Sequence, residues 1–115
     1  MNVTVKVVVF KHPEPTRWGI YCSYCPELEY FFGRGDSVEK VIDNVKENLI
    51  EELKNRNAYR NLKIMNWEIS ENSIIPPKFT DEEAINLAEE SYELHIEHPQ
   101  IIEINVEVPP AQKLW

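Results

Sequence analysis

Glycine is scarce in this chain: three in 115 residues, at positions 19, 33 and 35. That scarcity leaves no glycine-rich phosphate loop, and neither a G-x-S-x-G elbow nor an H-E-x-x-H pair occurs. Nucleotide, serine-hydrolase and zinc-protease mechanisms therefore lack their required parts. Cysteine is limited to Cys22 and Cys25, too few for the disulfide framework of a small secreted domain. Long apolar runs are also missing. The longest, Val7 to Phe10, falls far short of the roughly 20 residues that span a bilayer, and the start carries no signal-peptide pattern. Together these absences lead us to expect a cytoplasmic protein. Basic residues are in deficit, 12 against 20 acidic ones, for a formal net charge of −8. The whole-molecule field repels phosphate backbones and favours a basic protein partner over nucleic acid.

What is present suits one ordinary domain. A chain of 115 residues that is 43% hydrophobic buries roughly 65% of the surface its unfolded form exposes, enough for a single core. The domain is expected over residues 1–108, with 109–115 as a tail. Lys54, Arg56, Arg60 and Lys63 form the one basic cluster. Its place after a helix reads as dipole complementation by solvated side chains.

Strands and helices interleave along the chain. Residues 2–10 alternate, with Val3, Val5, Val7 and Val9 on one face and Thr4 and Lys6 on the other, the signature of a half-buried strand. His12-Pro13-Glu14-Pro15 should interrupt it, because proline supplies no backbone donor. Alternation resumes over 17–25, with Trp18, Ile20, Cys22 and Tyr24 on one side, and Pro26 ends it. Residues 28–32, "LEYFF", read as a short third strand completing an antiparallel meander. Gly33 and Gly35 permit a positive φ in the following turn, and Asp36 or Ser37 can cap the next helix, Asp36 with Glu39 as a capping-box-like pair. Val38, Val41, Ile42, Val45, Leu49 and Leu53 then form an apolar stripe at helical spacing, and this helix should lie across the sheet.

The second half is patterned less cleanly. Met65, Trp67 and Ile69 alternate like a strand before Ile75-Pro76-Pro77 forces extension. Thr80 and Glu83 make a capping box for a second amphipathic helix, carrying Ala84, Ile85, Leu87, Ala88 and Tyr92 to about Leu94. Residues 101–108 close the domain as a strand with Ile102, Ile104, Val106 and Val108 opposite Glu103, Asn105 and Glu107. The expected fold class is thus α+β: a three-stranded antiparallel meander plus a closing strand, one helix packed on a sheet face, and a second helix within an insertion at about 55–100.

No catalytic constellation emerges. Cys22-Ser-Tyr-Cys25 has C-x-x-C spacing, but zinc needs four ligands, a redox pair belongs at a helix start, and strand parity sends the two thiols to different faces. His95 and His98 read as solvated loop histidines, since a pair alone is a poor metal site and His98 precedes Pro99. The acidic residues sit largely on solvent-facing helix positions, whereas a two-metal nuclease needs carboxylates converging from strands. The chain is not expected to be an enzyme or to hold a metal or cofactor.

The stretch from Pro26 to Glu39 resembles the HicB-like antitoxin family. The hallmark of that family is roughly Pro-Asp-Leu-Pro-Gly, then Gly-Asp-Thr and a helix beginning Glu-Glu-Ala. Pro26, Glu27 and Leu28 stand at its first three positions, Gly35, Asp36 and Ser37 at the glycine and cap, and Glu39 at the first acidic helix position. Glu29 and Tyr30 replace Pro-Gly, and Lys40 and Val41 replace Glu-Ala. The resemblance covers residues 2–54 and 101–108. It implies a partial ribonuclease-H-like fold without nuclease chemistry, and neutralisation of a small basic messenger-RNA-cleaving toxin of the HicA type by covering its active surface. Separately, a homo-oligomer is expected. No DNA-binding module follows Val108, so operator binding is not expected. Partner contacts would fall on Glu27, Glu29 and Tyr30 at the strand-turn junction. The competing reading is a stand-alone module of the same fold, homo-oligomeric or ligand-binding, with no toxin partner.

Overall fold

The computed structural model describes residues 2–16, 19–29, 33–54, 57–70 and 73–107. The chain runs β1 (Asn2–Thr16), β2 (Gly19–Tyr24), a 3-10 turn (Pro26–Leu28), β3 (Arg34–Gly35), α1 (Val38–Lys54), α2 (Ala58–Ile64), β4 (Glu68–Ile69), β5 (Ile74–Ile75), α3 (Asp81–Tyr92) and β6 (Gln100–Glu107). The main sheet is antiparallel with strand order β3-β2-β1-β6, and β4 and β5 form a separate two-stranded ribbon. The fold is α+β, with the meander, the covering helix and the closing strand in the expected order. No helix among the described residues is long and apolar enough to cross a membrane.

Period-two alternation builds the first core. Val3, Val5, Val7 and Val9 of β1 and Ile104 and Val106 of β6 face one side, where they meet Val41, Val45, Leu49 and Leu53 of α1. Each such side chain contributes roughly 1.5–3 kcal/mol on burial. The opposite face is not left to solvent. Val8 and Phe10 of β1 and Cys22 and Tyr24 of β2 pack there against Ala84 and Ala88 of α3 and against Ile96. The continuous apolar run Val7 to Phe10 marks the part of β1 that is covered on both faces, so the strand is fully buried there rather than half-buried. Alanines at the contact let α3 approach closely, and the Phe10 and Tyr92 rings meet edge to face, 5.0 Å apart at 89°.

Several local expectations are corrected. Leu28 belongs to the 3-10 turn rather than to a strand, because Pro26 fixes the first position of that turn; the third strand is Arg34–Gly35, paired to Tyr21 and Cys22. Residues 30–32 lie outside the described residues. Prolines 13 and 15 do not end β1. The register with β2 jumps from Lys11↔Tyr21 to Thr16↔Gly19, so both prolines sit within the irregularity, and pairing with β6 has already stopped at Val9↔Gln100. Missing N–H groups cost little in such a bulged, one-sided segment. Asp36 and Glu39 do not form a capping box: the Ser37 hydroxyl accepts the Lys40 N–H (3.2 Å), while Asp36 makes an exposed ion pair with Lys40 (3.9 Å).

Gly33 and Gly35 serve close approach rather than a positive φ. A Cβ on Gly33 would stand 2.6 Å from Val45 Cγ2 and 2.9 Å from the Val41 carbonyl oxygen, so its bareness is what lets α1 settle onto the sheet. The Thr80–Glu83 capping box is present in both directions, and α3 ends at Tyr92 with Glu93 in the left-handed region (φ 55°). α2 has no counterpart in the sequence reading, and Met65 caps its end instead of opening a strand.

Candidate functional site

The strand-turn junction is organised around a buried carboxylate. Pro26 starts the 3-10 turn and Leu28 is wholly buried; between them Glu27 retains only 4% exposure. Glu27 Oε1 accepts the backbone N–H of Lys6 (3.1 Å), and Oε2 accepts the Cys25 thiol (3.4 Å). Its carbonyl accepts the Trp67 indole N–H (2.8 Å). Burial raises the Glu27 pKa above the usual carboxylate range, against the lowering effect of those hydrogen bonds. Glu27 therefore stitches β1, the turn and the segment before β4 together, and its side chain has no outward face to present to a partner. Glu29 is exposed, with φ 22°. Tyr30 lies outside the described residues.

Lys6 works from the other side of the same strand. Its Nζ donates to the Phe79 carbonyl (2.9 Å) and to Asp81 Oδ1 (2.7 Å), which fastens the start of α3 to the sheet. The hydrogen bond with Asp81 is the largest influence raising its pKa.

Gly35, Asp36 and Lys40 line a shallow hollow with Arg34, Asp43, Asn44 and Glu47. Ser37 caps α1 and Glu39 is exposed in its first turn. Glu39, Asp43, Glu47 and Glu51 share the exposed surface of α1 with Lys40, Lys46 and Lys54, leaving it slightly acidic on balance.

The two thiols are buried and free, in different cores, as strand parity requires. Desolvation pushes Cys22 up to about 11 and Cys25 well above its ordinary value, the opposite of what thiolate chemistry needs. Among the described residues no three His, Cys, Asp or Glu side chains stand where they could hold one metal ion.

One concave feature was not anticipated. All three histidines of the chain, His12, His95 and His98, line a cavity of about 660 Å³ together with Lys11, Pro13, Tyr21, Glu97 and Gln100. It exists because β6 begins at Gln100, opposite Val9, so β1 overruns its neighbour and leaves a notch beside the loop from α3 to β6. That loop is held by Glu89, whose Oε2 accepts the Ile96 N–H (2.9 Å) and meets His95 Nδ1 (2.9 Å). Sequence spacing offered only the local pair His95 and His98, since nothing in a linear pattern announces the partnership with His12.

No family model matches the chain, and neither a curated protein nor a solved structure does.

Proposed function

We propose that the chain is an interaction protein of the HicB-like antitoxin type, acting in the cytoplasm to neutralise a small basic messenger-RNA-cleaving toxin by covering its active surface. The observation that carries this reading is the order of elements: a meander, a helix crossing the sheet directly after it, and a closing strand returning beside the first, in the order β3-β2-β1-β6. That is the arrangement the Pro26-to-Glu39 resemblance implies. The acidic balance of −8 supports a basic partner, because complementary charge speeds encounter and suppresses wrong partners. Within this reading Glu29 and the exposed carboxylates of α1 are the contact surface, Glu27 supports the turn from within, and self-association presents more than one such surface.

The test is a pull-down with the intact chain from its native cell, with bound proteins identified by mass spectrometry. A small, basic, RNA-cleaving protein released by high salt is the expected result; its absence removes the reading. The histidine-lined cavity favours a second reading, a stand-alone ligand-binding module of the same fold. A stable oligomer that binds a small molecule but no protein would decide for it.

A further inference from the structure

We propose that the cavity between the overrunning end of β1 and the α3–β6 loop binds a phosphorylated small molecule. In a chain of net charge −8, this cavity is lined by Lys11, all three histidines, Tyr21 and Gln100, with Glu97 as the acidic residue of its lining. The whole-molecule field opposes an anion, so an anion site must be made locally, from convergent donors.

One of the rings is oriented by a backbone partner. His12 Nδ1 accepts the Glu14 N–H (3.0 Å), which leaves the ring proton on Nε2 as a donor. His95 Nδ1 lies 2.9 Å from Glu89 Oε2, the oxygen that also accepts the Ile96 N–H, so a carboxylate stands beside this otherwise exposed ring. His98 is in the left-handed region (φ 51°) immediately before Pro99, a costly conformation for such a residue. It turns the loop where β6 starts.

A metal ion suits this lining less well. Lys11 contributes a positive charge, and no three potential ligands stand together as one metal site among the described residues. Imidazole, ammonium and amide donors suit an oxyanion. A volume of about 660 Å³ exceeds what a bare phosphate fills and matches pockets for organic ligands. Pro13 adds apolar surface to the lining, where Tyr21 also borders the cavity while packing partly against the first core. The ligand class is therefore a phosphate monoester with an attached organic group. This inference stands apart from toxin neutralisation and survives its failure.

The test is a titration of the isotope-labelled protein followed by amide and imidazole NMR shifts, with phenyl phosphate, inorganic phosphate, phenol and zinc chloride as separate probes. Phenyl phosphate should shift Lys11, His12, His98 and Gln100 and bind more tightly than inorganic phosphate or phenol. Lys11→Ala and His98→Asn should each weaken it by about tenfold or more, as expected for loss of a charge-assisted contact. Asparagine is chosen at 98 because it accepts left-handed backbone, and unchanged melting temperatures verify that both variants fold. The proposal is overturned if millimolar phenyl phosphate leaves these resonances in place, if the two folded variants bind it like the parent chain, or if zinc alone binds the cavity.

Discussion

Glu27 concentrates more of the structure than any other polar residue described: its two carboxylate oxygens and its carbonyl each receive a donor from a different stretch of chain. Its raised pKa means the folded protein holds that proton more tightly than the unfolded chain does. Stability is therefore greatest with Glu27 protonated, and falls as pH rises from the ordinary carboxylate range through the raised pKa. Glu27→Gln removes the buried charge while keeping an acceptor for the Lys6 N–H. It should stabilise the protein at pH values above the raised Glu27 pKa, by an increment that disappears as pH falls below the ordinary carboxylate range, read from urea unfolding across pH. Glu27→Ala leaves that N–H unpaired and should cost about 1–3 kcal/mol at acidic pH, and less once the wild-type carboxyl ionises. The cysteines provide a second check at this scale. With Cys22 raised to about 11 and Cys25 raised by burial, neither thiol should react with a disulfide reagent at neutral pH in the native state, and both should react in denaturant.

At the level of elements, the joint between β3 and α1 is set by space. Gly33 exchanges backbone hydrogen bonds with Ser23, whose N–H donates to the Gly33 carbonyl (3.0 Å) and whose hydroxyl accepts the Gly33 N–H (2.8 Å). Val45 fills the volume where a Cβ would go. Gly33→Ala should therefore destabilise by about 1–3 kcal/mol in thermal or denaturant unfolding, as overpacking does. The end of α3 offers the converse. Glu93 occupies the left-handed cap position and carries a negative charge at a helix C-terminus, so Glu93→Gly should raise stability by about 1 kcal/mol.

Elements with strong periodicity were legible in the sequence: the valine alternation of β1, the apolar stripe of α1, the capping box of α3 and the alternation of β6 all report contacts that repeat along one element. The joints were not, because they depend on what meets them across the fold. Leu28 reads as strand yet lies in a proline-started turn. Glu27 reads as surface because its partners, Lys6 and Trp67, are far away in sequence. α2 is seven residues long, too short for a helical stripe to declare itself. The histidine cavity was invisible for the same reason as Glu27, since His12 and His95 meet only through the β1–β6 pairing and the α3–β6 loop that Glu89 holds.

For the molecule as a whole, two cores share one sheet, with α1 on one face and α3 on the other. The segment expected as an insertion thereby contributes half of the sheet's cover, and Trp67 ties it to the Glu27 carbonyl. A body built this way presents rigid acidic surfaces and, among the described residues, no grouping of nucleophile, base and positioning group. Its proposed work is occupation of a basic ribonuclease. The most direct measurement is messenger-RNA cleavage by the small basic protein that the chain captures from its native cell, followed as the purified chain is titrated in. The account predicts that cleavage ceases near one binding equivalent and returns at high salt. Undiminished cleavage at saturating chain, or a captured partner that never cleaves RNA, would contradict it.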